Sequence, residues 1–198
     1  MVFGLLLLFG LSASVWAAPK TLLVLGDSLS AGYGIRIEQA WPSLMQQKLG
    51  KDWQVVNASV SGETTAGGLT RLPAALKQHK PAVVLVELGA NDGLRGLPVE
   101  AAKLNLSTII EQSRKAGARV GLIAIRLPPN FGGAYTTKFD AMFRELAKQH
   151  KLPAPPFLLD GIAEHPEMFL PDQLHPTAAA QPKVLANVWP LVQTLTKR

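Results

Sequence analysis

Four short polar segments carry residue types that do chemistry. The first is Gly26-Asp27-Ser28-Leu29-Ser30, directly after the apolar run Thr21 to Leu25. A serine at the start of a helix meets outward-pointing backbone N–H groups, which favour negative charge. That setting suits a nucleophile whose attack creates an oxyanion. The segment is not a G-x-S-x-G elbow, and the plain alternative is a helix N-cap. The second segment, Asn57 to Thr65, contains Gly62. Its backbone can approach a ligand closely for want of a side chain, or it is simply a turn glycine. The third, Gly89-Ala90-Asn91-Asp92-Gly93, offers the Asn91 amide as a donor to the same cleft, or as an Asx-turn residue. The fourth is Asp172-Gln173-Leu174-His175-Pro176. Its spacing lets the carboxylate reach one imidazole nitrogen and leaves the other free. A histidine held that way takes a proton from a serine hydroxyl and returns it to a leaving group. A metal site is the usual competitor for D-x-x-H, and neither H-E-x-x-H nor a histidine cluster is present to complete one. His79, His150 and His165 stand beside Lys or Pro and read as surface residues.

These segments need elements to position them. Thr21–Leu25, Val55-Val56, Ala82–Leu88, Arg119–Ile125 and Phe157–Leu159 are apolar runs with strand character. Between them, Trp41–Leu49, the stretch around Leu69 to Leu76, Val99–Ala116 and Tyr135–His150 have helical spacing. Pro176 can open a last helix reaching about Leu195, which Pro182 and Pro190 should kink or interrupt. Continuous apolar strands separated by helices imply a parallel sheet in an α/β sandwich. Ligands bind such sheets outside the carboxyl ends of the strands, where all three polar segments that follow a strand lie.

The chain has 198 residues, 47% of them hydrophobic and 17% charged, which suits one domain with a sizeable core. It has no cysteine, which excludes disulfides, a thiol nucleophile and a lipid-modified cysteine. The net charge is +6, without long basic runs or interleaved aromatics, so nucleic-acid binding is not expected. Phe3–Leu11 is apolar but too short to span a bilayer, and small residues follow it up to Ala17-Ala18. Residues 1–17 therefore read as a secretory signal peptide, with cleavage after Ala17 or alternatively Ala18, and 18–198 as the single mature domain. A periplasmic or secreted location follows, with no stable membrane insertion.

In this order the four segments strongly resemble the SGNH (GDSL) hydrolase superfamily, whose block residues are here Ser28, Gly62, Asn91 and His175. Residues 55–64, Arg71-Leu72-Pro73-Ala74, residues 86–96 and Ile125-Arg126-Leu127-Pro128 look like its bacterial periplasmic thioesterase I/arylesterase/lysophospholipase subgroup. The resemblance implies a flavodoxin-like three-layer α/β/α sandwich with about five parallel strands. It implies a Ser28–His175–Asp172 triad and an oxyanion hole built from the Ser28 and Gly62 amides and the Asn91 side chain. It also implies cleavage of acyl esters and thioesters by a monomer, without metal or cofactor. Leu94, Leu97, Ile125 and Leu127 are candidates for an acyl groove, with ordinary packing as the alternative. The Gly93–Pro98 loop is expected to move when an acyl chain binds. Three departures from the usual pattern stand out: Gln173-Leu174 fill the middle of the last block, where Gly-Ile is common, Glu63 replaces Asp after Gly62, and Ala90 replaces a frequent Gly. The competing readings are a carbohydrate-acetyl esterase and a non-catalytic periplasmic lipid-binding protein. A flavodoxin-like electron carrier has only the sheet order in its favour.

Overall fold

The computed structural model describes residues 18–197, so the signal-peptide expectation lies outside the described residues. The chain runs β1 (Lys20–Gly26), α1 (Ser28–Ala31), α2 (Trp41–Leu49), β2 (Trp53–Asn57), α3 (Thr65–His79) and β3 (Val83–Glu87). It continues through α4 (Ala90–Leu94), α5 (Val99–Lys115), β4 (Arg119–Leu122), α6 (Gly133–Gln149) and α7 (Gln181–Thr196). The strands form one parallel sheet in the order β2-β1-β3-β4. β3 is buried along its whole length and β1 from Leu22 onward, because helices cover both faces.

The layering follows from the strand order. The chain moves outward from β1 to β2, then back across β1 to β3. Right-handed crossovers in opposite directions put their helices on opposite faces. α2 packs with α7 on one face, while α3, α5 and α6 pack in succession on the other. The buried Trp41 amide donates to Gln181 Oε1 at 2.9 Å and fixes α7 to the start of α2. The direction change opens a crevice at the carboxyl ends of β1 and β3.

Two expectations need correction. Among the described residues the sheet has four strands, against the about five expected. Beyond β4, Ala124 makes a single parallel bridge to Phe157, with Ala124 N to Pro156 O at 2.8 Å and Leu158 N to Ala124 O at 3.0 Å. Pro155 and Pro156 have no N–H to extend that ladder, and the chain turns immediately after Phe157. The last helix starts at Gln181, not Pro176, and runs through Pro190 without interruption. Pro182 sits in its first turn, where a missing N–H costs nothing. Pro190 and Ala186, whose carbonyl loses its partner, are both exposed, so water can take the bond.

Candidate active site

The turn that carries Ser28 is fixed from beneath. A Cβ on Gly26 would come within 2.8 Å of Glu87 Oε2 and the Ser30 side chain, so only glycine fits there. Asp27 caps the short α1, its Oδ1 accepting from Leu29 N at 2.9 Å. This places the half-buried Ser28 at the head of α1, above the crevice.

His175 comes from the segment before α7. Its Nε2 lies 2.8 Å from Ser28 Oγ, and its Nδ1 lies 2.7 Å from Asp172 Oδ2. Asp172 Oδ1 accepts from the amides of Leu174 at 2.9 Å and His175 at 3.0 Å. One carboxylate thus shapes the turn with one oxygen and holds the imidazole with the other. With the proton on Nδ1 facing Asp172, Nε2 presents a lone pair to the serine hydroxyl. Burial pushes the Asp172 carboxyl up, but its hydrogen bonds from Leu174, the His175 ring and the His175 amide together outweigh that and hold it at about 2. Gln173 adopts the left-handed backbone (φ 56°) that glycine would favour, so the turn keeps its shape despite the side chain. Tyr33 lies against the imidazole, with ring centroids 4.4 Å apart.

Gly62 also has positive φ (78°), and a Cβ there would meet only Arg95 Nη2, at 3.9 Å. Conformation, not crowding, asks for glycine here. Among the described residues, the amides of Ser28 and Gly62 donate to no protein acceptor. Asn91, in α4, donates through Nδ2 to Glu63 O at 3.0 Å and to Asp27 Oδ2 at 3.2 Å. The structure therefore joins Asp172, His175 and Ser28 in one hydrogen-bonded chain, and Asn91 is tied separately to Asp27, the residue before Ser28.

The proposed groove residues are not gathered in the same way. Ile125 and Leu127 are buried in the hydrophobic core, Leu94 is half-buried and packs against it, and Leu97 is exposed. Ile125 lines a separate cavity of about 120 Å³ with Arg126, Asp140 and Phe143. His165 is exposed, as its neighbours suggest, but His150 is half-buried, with Nε2 2.8 Å from Ser107 Oγ. That second Ser–His contact lacks a carboxylate on Nδ1. Among the described residues there is no cluster of three metal-ligating side chains.

A buried acid was missed. Glu87 is fully buried, and its Oε2 accepts from Ser30 Oγ at 2.5 Å and Asp27 N at 3.4 Å. Burial, and then the charge of Asp27, push its carboxyl well above the usual range. A lone acid inside an otherwise apolar strand was the available signal. Asp27 is itself raised to about 6, chiefly by burial and against the pull of the Leu29 amide, His175 and Asn91. A carboxyl raised on folding contributes stability below its unfolded pKa and loses it as pH rises through the folded one. For Asp27 that window runs from about 4 to about 6. Asp27→Asn is expected to melt higher than wild type at pH ~8, with the gap closing toward pH ~4. Thermal melts across pH check this, and parallel curves for the two proteins would contradict it.

A family model described as GDSL-like lipase/acylhydrolase matches residues 24–181. The chain belongs to this family. Esterase TesA of Pseudomonas aeruginosa is 47% identical over 182 residues, 90% of each chain. The thioesterase 1/protease 1/lysophospholipase L1 of Escherichia coli is 46% identical over 166 residues, covering 84% of this chain and 80% of that one. The crystal structure of a psychrotrophic esterase, EstA from Pseudoalteromonas sp., inhibited by monoethylphosphonate, superposes with a TM-score of 0.83 at 39% identity. That match covers 88% of this chain and 97% of the other. For a GDSL-like acylhydrolase, the crevice at the ends of β1 and β3 is the place to look for acyl transfer.

Proposed function

We propose that this acylhydrolase cleaves carboxylic esters and thioesters through an acyl-enzyme on Ser28, with His175 as proton carrier and Asp172 as its orienter. The observation that carries the reading is the unbroken chain of hydrogen bonds from Asp172 Oδ2 through both imidazole nitrogens to Ser28 Oγ. His175 Nε2 takes the hydroxyl proton as Oγ bonds to the acyl carbon. The carbonyl oxygen becomes an oxyanion facing the Ser28 and Gly62 amides and Asn91 Nδ2. The proton then passes to the leaving alcohol or thiol as its bond to the acyl carbon breaks. Water repeats the sequence to free the acid.

Asn91 Nδ2 already has two protein acceptors, and a full negative charge competes well with the longer contact to Asp27. Donors fixed where charge develops are worth ~3–4 kcal/mol each. Asn91→Ala should therefore lower kcat by about 10²–10³ with little change in KM. An unchanged kcat in steady-state assays removes Asn91 from this role.

The relatives' names, an esterase and a thioesterase/lysophospholipase, support acyl-chain esters and thioesters as the substrate class. The leader-like start of the sequence supports work outside the cytoplasm, by residues 18–198 as one monomeric domain. p-Nitrophenyl esters from acetate to palmitate, set beside acyl-CoA and lysophospholipid, test the reading. Turnover of acyl esters longer than acetate is expected. Activity confined to acetyl esters would favour a carbohydrate-acetyl esterase, and none at all would favour a lipid-binding protein.

A further inference from the structure

We infer that Arg71 is a positioning residue for the oxyanion site, acting as a clamp between the nucleophile strand and the loop that carries Gly62. The inference rests on the acyl-transfer reading above. Arg71 projects from α3, and its half-buried guanidinium bonds to three residues on two segments. Nε donates to Glu63 Oε2 at 2.6 Å, Nη2 to Gly26 O at 3.3 Å, and Nη1 to Ala58 O. Gly26 ends β1, two residues before Ser28. Ala58 and Glu63 bracket the loop of Gly62. The Glu63 carbonyl in turn accepts from Asn91 Nδ2 at 3.0 Å. A single cation therefore links, directly or through Glu63, the segments that carry all three oxyanion donors.

The chemistry fits arginine and not lysine. A planar guanidinium holds several acceptors in fixed directions, whereas an ammonium is a point charge on a flexible stem. Two of the acceptors, Gly26 O and Ala58 O, are main-chain carbonyls on the strand that leads to Ser28 and on the loop that leads to Gly62, so the clamp sets backbone position. Glu63 gains a function from its departure from the common aspartate. Its carboxylate holds both Arg71 and, through Oε1, the Thr64 amide at 3.1 Å. The loop after Gly62 is thereby pinned on the same side as the guanidinium. Misplacing oxyanion donors by a fraction of an ångström weakens the transition state and leaves ground-state binding of the acyl chain alone.

The test is a double-mutant cycle of Arg71→Met with Asn91→Ala, followed in kcat and KM on a soluble p-nitrophenyl ester. Arg71→Met is expected to lower kcat by about 10–100-fold with KM within about twofold. Arg71→Lys should recover only part of that loss. In the Asn91→Ala background the Arg71→Met loss should be smaller than in wild type, because one of the three donors that the clamp positions is already gone. Equal losses in both backgrounds, or a change in KM alone, would overturn the inference. Should Arg71→Met fail to fold, Glu63→Gln reads the same kcat split and the same non-additivity. Amide hydrogen exchange of residues 58–63 gives a measure independent of turnover. Exchange at least ~10-fold faster in the Arg71 or Glu63 variant than in wild type supports the clamp, and unchanged exchange refutes it. Faster exchange in a protein whose wild type cleaves no ester would sink the acyl-transfer reading and leave the clamp standing.

Discussion

Ser28→Ala is expected to reduce ester turnover by about 10⁴–10⁶ while leaving the fold intact. Among the described residues the Ser28 side chain makes one hydrogen bond, to His175 Nε2, so its loss opens no large cavity and leaves a ring that Asp172 still holds through Nδ1. The oxyanion donors stay in place, and a residual rate above that of water should survive. Two measurements check the result together. Steady-state kinetics give the loss in kcat. Mass spectrometry after treatment with an alkyl fluorophosphonate, which loses fluoride as Ser28 Oγ bonds to phosphorus, should show one adduct on wild type and none on the variant. A labelled variant, or a labelled residue other than Ser28, would move the nucleophile elsewhere.

Asp172→Asn should be nearly as severe, with kcat down by about 10³–10⁴, and worse than Asp172→Ala. The order follows from the turn. The substituted asparagine would keep its oxygen on the Leu174 and His175 amides, as Asp172 Oδ1 does. Its NH₂ would then face Nδ1, force the proton onto Nε2, and turn the histidine's donor toward Ser28. Alanine imposes no such tautomer. The Asp172 side chain is 36% exposed, so water can occupy the vacated place and support Nδ1–H. The order should show in kcat at neutral pH. Because Asp172 is held at about 2, wild type should lose none of this support down to mildly acidic pH. An alanine variant slower than the asparagine variant would mean that turn shape matters more than tautomer.

The four polar segments were legible because each is local. Ser28, Gly62, Asn91 and the Asp172–His175 pair sit in short stretches whose residue types announce themselves. The alternation of apolar runs with helical stretches gave the layers for the same reason. What escaped was set by packing between distant segments. Arg71 stands in a stretch that resembles the subgroup, but nothing local gives it a partner, and only the tertiary structure brings Gly26, 45 residues away, under its guanidinium. Glu87 and Ser30 are 57 residues apart and meet beneath the nucleophile turn. The apolar character of Ile125 and Leu127 was plain, yet composition does not separate a groove wall from a core wall. The short fifth strand failed on a count of backbone donors at Pro155 and Pro156, which hydrophobicity does not register. Gln173 shows the opposite: a departure from the usual glycine that the backbone absorbs.

Ser28 and His175 stand 147 residues apart, and the contact of Trp41 with Gln181 closes over nearly the same span. Chains emerge from synthesis amino end first. The serine is therefore made early and stays without its base until the last helix has been produced and has docked. On the proposed mechanism, a partly made or partly folded chain is chemically silent toward acyl esters. The first turnover marks the moment the final element has reached its place, so activity in this molecule doubles as a report that folding is finished.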